Sequence, residues 1–273
     1  MTARLDWSAI LPRAAGIVTS YSTGVTLRQL FYRLVADGTL ANTNSNYKSL
    51  SRHTAKARRE GTFPALVDRG RTIHRDPSFD GPDDARDWLT VIYRRDRTMG
   101  QDVSVYLGVE KAGLVAQLRS WFGDLGVPIL ALGGYGSQTY TDQVADDVDR
   151  SARPAVLLYA GDFDPSGEDI DRDFVARTGC WAAVERVALT ADQVEEFDLP
   201  PAVGKASDSR ASAFLARHGQ LVQVELDALA PDTLHGLYAE ALAPWWDTST
   251  YEAVLVEESA ERAELAAAAG RGK

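Results

Sequence analysis

Asp162 and Asp164 are separated by a single residue and follow the apolar run PAVLLYAG, while Glu110 closes another such run, DVSVYLGV. If both runs are strands of one parallel sheet, all three carboxylates arrive at its carboxyl edge, where open α/β sheets collect their functional groups. Like charges a few ångströms apart raise one another's pKa, so such a trio is costly without a counter-charge. A hard divalent cation supplies one. Mg²⁺ takes oxygen ligands and keeps several waters, so one or two carboxylates and a phosphate oxygen complete its shell, with Mn²⁺ as a second candidate. The D-x-D spacing suits this use, because alternate side chains of an extended turn point the same way. The bland alternative is that Asp162 and Asp164 only form the turn before Pro165 and Gly167.

A second set of residues is basic. Lys48, Arg52, Lys56 and Arg59 recur at spacings of three and four along a helix predicted from about Ser45 to Glu60, so they share one face. Arg69, Arg71 and Arg75 follow in a glycine-punctuated segment. Before them, VTLRQLFYRLVADG places Leu27, Leu30, Phe31, Leu34 and Val35 at helical spacing, with Thr26 as N-cap and Gly38 as the stop. Two short helices and a basic turn-rich tail are the parts of a winged helix-turn-helix of the CAP type, whose second helix lies in a DNA groove. The alternative is a solvated charged face.

The elements that must position these residues change character along the chain. The 273 residues carry 29 basic and 39 acidic side chains, a net charge of −10. That mean conceals a division near Thr98: residues 1–98 balance at +6 and residues 99–273 at −16. A basic head beside an acidic body excludes indiscriminate coating of nucleic acid and directs any contact to the head. After Thr98, apolar strands at DVSVYLGVE, VPILALGG and PAVLLYAGD alternate with helices at KAGLVAQLRSWFGDLG, YTDQVADDVDRSA and SGEDIDRDFVART. Ser166 and Asp169 read as a capping box for the last of these helices, and WAAVERVAL and QLVQVEL as further strands. This order predicts an α/β fold with a mainly parallel sheet covered on both faces. The expected divisions are 1–98, 99–247 and a C-terminal helix and tail at 248–273. A single cysteine, Cys180, excludes an internal disulfide framework, and no apolar run approaches a membrane span. A cytoplasmic, bacterial or phage-encoded protein is the expectation.

VYLGVEK, LALGGYGS and LLYAGDFDPSGEDI together resemble the Toprim domain, in the version found in the A subunit of topoisomerase VI and the related meiotic double-strand-break proteins. LTADQV, DSR and VELDAL have the look of the same group, and LRQLFYRLV resembles its R-[DE]-[IL]-[YF]-Y segment, whose final tyrosine attacks DNA. The resemblance runs in pieces from Leu27 to Leu229 and is most specific at the D-x-D element. It implies a winged-helix domain followed by a Rossmann-like Toprim domain, Mg²⁺ held by Glu110, Asp162 and Asp164, Tyr32 as nucleophile, and Arg28 as a phosphate clamp. Gln29 stands where the family has an acid. It also implies a homodimer on double-stranded DNA, with the tyrosine of one protomer working at the metal site of the other. The chain shows no recognisable ATPase module and resembles a minimal, free-standing form of the Mini-A type, for which a separate ATPase subunit is a candidate partner. DNA cleavage is therefore expected in place of a full topoisomerase cycle.

A phenol with a pKa of about 10 needs a base, a cation or positioning to attack a phosphodiester. Two other readings stay open: a Toprim nuclease that uses water while Tyr32 is structural, and a non-catalytic winged-helix DNA-binding or partner-recruiting subunit. The turn at Gly133–Ser137 lacks the G-K-[ST] of a P-loop, though Tyr135 and Ser137 are candidate DNA contacts. Lys111 is placed to balance the acids or meet phosphate, and Lys205, Asp208 and Arg210 read as a salt-bridged cap. The four histidines show no metal-ligand spacing.

Overall fold

The computed structural model describes residues 5–21, 24–68, 75–134, 136–203 and 209–270. Arg69, Arg71, Tyr135, Lys205 and Asp208 lie outside the described residues.

The acidic body is built on a four-stranded, all-parallel sheet in the order β2-β1-β3-β4, with β1 Ser104–Val109, β2 Ile129–Ala131, β3 Ala155–Ala160 and β4 Trp181–Ala188. Both central strands are buried along their whole length, as their unbroken apolar runs require. Alternate residues serve opposite faces. Val105, Leu107 and Val109 join Val156, Leu158 and Ala160 in one core, under α5 (Ala112–Phe122) and α10 (Pro231–Leu242). Tyr106, Leu157 and Tyr159 enter the other core, under α6 (Gln138–Ser151) and α7 (Gly167–Thr178). The chain leaves β1 for β2 on one side and returns to β3 on the other. The switch point therefore falls between the carboxyl ends of β1 and β3, where such sheets open a crevice.

Two local expectations need correction. Ser166 is already in helical conformation and makes no side-chain cap on α7; the Asp164 carboxylate accepts from Gly167 N at 2.6 Å in its place. QLVQVEL does not join the main sheet. Only Val222–Gln223 (β6) is a strand, paired antiparallel with Ala202–Val203 (β5), because the next residue, Val224, is held on both its N–H and C=O by Phe163 in the loop after β3.

The basic head is helical. Its helices are α1 Trp7–Ser20, α2 Leu27–Ala36 and α3 Asn44–Arg59, which bury Ile10, Ala14, Leu30, Leu34 and Leu50 in a core of their own. Thr26 caps α2 as expected, in a capping box with Gln29. Among the described residues up to 98 there is no strand, although Val67 N donates to Val25 O at 3.0 Å. After α4 (Pro82–Ile92), the segment 93–97 is gripped by the C-terminal helix α11 (Thr248–Gly270). The buried Glu258 accepts Arg97 Nε at 2.9 Å and Nη2 at 2.7 Å. No described helix is long and apolar enough to cross a membrane.

Candidate functional site

Glu110 follows the last residue of β1, and its backbone N–H donates to Ala160 O at 2.9 Å, which ties it to the end of β3. One turn of chain beyond β3, Asp162 N donates to Glu110 Oε2 at 2.8 Å. Glu110 and Asp162 are thus brought together. Asp164 is turned toward the start of α7, where its oxygens accept Gly167 N and, at 3.0 Å, Gln223 Nε2. Glycines make this close approach possible. A Cβ on Gly133 would stand 2.4 Å from Glu110 O, and one on Gly167 2.2 Å from Asp162 O.

Burial pushes the carboxyl of Asp162 up to about 7, with Glu110 and Glu225 adding to the shift and Lys111 opposing it. Burial also raises that of Glu110, though the bond from Asp162 N pulls the other way. Lys111 Nζ lies 2.8 Å from Asp162 Oδ1, also binds Glu225, and stands 3.3 Å from Asp227 Oδ2. Burial would depress this ammonium, but Asp162, Asp227 and Glu225 hold it above the usual lysine range. One cation thus serves three acids.

The basic head supplies the other wall. Arg28 Nη2 bonds Glu225 Oε2 at 2.6 Å, and Arg28 Nε stands 3.3 Å from Asp227 Oδ2. Its guanidinium lies 5.8 Å from the centroid of the Tyr32 ring. Tyr32 is half-buried and packs against both the head core and the sheet core. Burial raises its phenol and Glu225 raises it further, while Arg28 and Lys111 pull it down. A polar clasp fixes the join, with Gln29 Nε2 donating to Gln117 Oε1 at 3.1 Å in the interior. A cleft of about 690 Å³ runs between head and body, lined by Arg28, Tyr47, Ser51, Arg58 and Lys111 among others. Lys48, Arg52, Lys56 and Arg59 are exposed on α3, and Lys56 has Glu60 3.8 Å away.

Three contributors were not assigned from the sequence. Glu225 and Asp227 sit in VELDAL, an E-x-D spacing of the kind that singled out Asp162 and Asp164. Arg186 interrupts the apolar strand WAAVERVAL, which was its signal. Its guanidinium donates to Asp162 O at 2.7 Å, Gly167 O at 3.2 Å and the Asp171 carboxylate at 3.0 Å, bracing the acid-bearing loop. Arg210, the N-cap of the helix Ala211–His218, makes no side-chain cap on it; its guanidinium stands 3.7 Å from Asp169.

The donor set suits a hard cation in its chemistry. Two adjoining carboxyls with raised proton affinity, Asp162 buried and Glu110 half-buried, are the kind of pair that can exchange a proton for a cation. Beneath them the wholly buried Tyr159 hydroxyl has no hydrogen-bond partner among the described residues and feels the charge of Glu110. Among the described residues no three metal-ligating side chains converge on one point, so any ion held here depends on oxygens beyond this pair. Comparison of the chain with protein-family models gave no match, and neither did a search of curated proteins.

Proposed function

We propose that this protein cleaves DNA by transesterification, with Tyr32 as nucleophile and a divalent cation, Mg²⁺ or Mn²⁺, held through Glu110 and Asp162 with Asp164 beside them. The observation that carries the reading is a continuous chain of charged contacts, Asp162–Lys111–Glu225–Arg28, which ends beside the Tyr32 ring in the same protomer. A tyrosine packed only as core has no need of two cations and a carboxylate close enough to shift its phenol.

In the reaction the Tyr32 oxygen forms a bond to phosphorus as the bond from phosphorus to one deoxyribose oxygen breaks. The phenol proton leaves to solvent and the departing sugar oxygen takes one up, so the number of phosphoesters is unchanged and the step can reverse. Arg28 and Lys111 are placed to hold the phosphate's non-bridging oxygens and to favour the phenolate over the phenol. A cation bound at the carboxylates supplies charge stabilisation to the phosphoryl and leaving oxygens. Gln29 cannot act as a base, because a neutral amide takes up no proton near neutral pH, and its two ends are committed to Thr26 and Gln117. The exposed basic stripe of α3 gives the duplex a sequence-independent landing. Cutting both strands requires two tyrosines, hence a homodimer on DNA.

One observation favours water as the nucleophile instead: burial and Glu225 both raise the phenol pKa. The two readings part in one experiment. End-labelled duplex is incubated with protein and Mg²⁺ or Mn²⁺, denatured, and examined for label covalently attached to protein. Transesterification gives an adduct that Tyr32→Phe abolishes. Cleavage without adduct, indifferent to Tyr32→Phe but lost in Asp162→Asn, would replace the tyrosine by water.

A further inference from the structure

The cations that would hold the phosphate are already occupied. Arg28 and Lys111 share the carboxylate of Glu225, and each also stands 3.3 Å from Asp227. Two positive side chains thus face three negative ones, Asp162 included, with no charge left over for a ligand. Asp227 and Glu225 differ in freedom. The Asp227 side chain is 6% exposed and fixed in the turn Leu226–Ala228, whereas that of Glu225 is 32% exposed. A carboxylate gripped by a guanidinium and an ammonium is the chemical counterpart of a phosphodiester in the same place: one negative charge on two oxygens, read by the same donors.

Resting on the reading of DNA as substrate, we propose that Glu225 is a built-in competitor for the backbone phosphate. Its side chain closes the Arg28–Lys111 fork in the free protein and is displaced when a nucleic-acid strand enters the cleft. The cleft has room for that exchange. Arg58 and Ser51 line it from α3, and Gly113 in the first turn of α5 has nothing within 4 Å of where a Cβ would be. Lys111, the N-cap of α5, makes no side-chain cap, and its backbone O accepts only Leu114 N, at 2.8 Å, among the first N–H groups of that helix. Displacement needs only rotation of the Glu225 side chain. Asp162, bonded to Leu226 N at 2.7 Å, and the buried Asp227 keep the backbone of the turn in place.

The test is fluorescence anisotropy with a labelled duplex oligonucleotide and the full chain in EDTA, so that neither metal nor cleavage enters. Glu225→Gln is expected to bind about three- to tenfold more tightly than the wild type, because a modest ion pair no longer competes. The plot of log affinity against log salt steepens by about one to two released counterions. Adding Lys111→Gln should return both readouts toward wild type. Equal or weaker binding by a folded Glu225→Gln overturns the proposal. Glu225→Ser is the second variant. If both variants lose cooperative thermal unfolding, the proposal also falls, since a carboxylate that must leave for the ligand cannot be one the fold requires. Wild-type binding that neither variant alters sinks this inference alone. No binding by any of the proteins sinks the DNA reading beneath it.

Discussion

Glu258 and Asp162 are both buried carboxylates within reach of cations, and the surroundings move them in opposite directions. Glu258 accepts both arms of the Arg97 fork and the backbone N–H of Arg95, with Arg262 2.9 Å away, and these bonds hold its pKa below 4.5. Here more than one guanidinium serves a single acid. At Asp162 the ratio is reversed, for one ammonium is divided among three carboxylates and burial lifts the acid to about 7. The same chain that closes one ion pair fully leaves the other with excess negative charge. Where a fold has the means to neutralise a buried carboxylate and does not, an incoming cation is the natural completion.

The strongest way to break this contrast is to neutralise each acid in turn. Asp162→Asn should lower cleavage by about 100-fold or more, since charge stabilisation of the transition state is removed, while the melting temperature holds or rises. Glu258→Gln should do the reverse. It leaves the buried Arg97 with only the exposed Asp124, 3.5 Å away, as counter-charge and is expected to cost about 2–4 kcal/mol in denaturant unfolding, with cleavage per folded molecule unchanged. A stability loss at Asp162 as large as that at Glu258 would erase the distinction.

The pH dependence of stability sharpens it further. A carboxyl whose pKa rises on folding holds its proton more tightly in the native state. The Asp162 contribution therefore declines as pH climbs from its ordinary 3.8 to about 7 and is constant above. Glu258 runs the other way: its stabilisation is complete above 4.5 and is lost as pH falls below that value. Urea melts across this range should show Asp162→Asn flattening the slope on the neutral side and Glu258→Gln the acid limb alone.

A smaller effect is expected from metal. Millimolar Mg²⁺ should raise stability by about 1 kcal/mol near pH 8 and by less near pH 6, because the ion competes with the carboxyl proton. Asp162→Asn should abolish this shift, while Glu258→Gln leaves it intact. The smallest effect belongs to the stripe on α3. Lys56→Gln should weaken duplex binding about two- to threefold and lower the salt slope by about one, without touching either carboxylate system.

The positions of Glu110 and Asp162 at strand ends were legible in the sequence because burial on both faces writes an unbroken apolar run, and the acid that ends the run marks the edge. The amphipathic stripe of α2 and the cap at Thr26 were legible for the same local reason. The conformation at Ser166 was not, since Asp164 competes for the same N–H groups at the start of α7 and a spacing rule cannot choose between two oxygens.

Sequence alone thus determined the alternation of strands and helices after Thr98, the edge at which the acids collect, and the division of charge between head and body. Hydrophobic period and composition are properties of neighbouring residues and survive without the fold. Only the tertiary structure decided that Arg28 meets Glu225 across 197 residues, that Lys111 is divided among three acids, and that Arg97 finds Glu258 across 161. A polar side chain carries no periodic sign of its partner. Its charge is balanced or left in excess only when packing has fixed which surfaces meet.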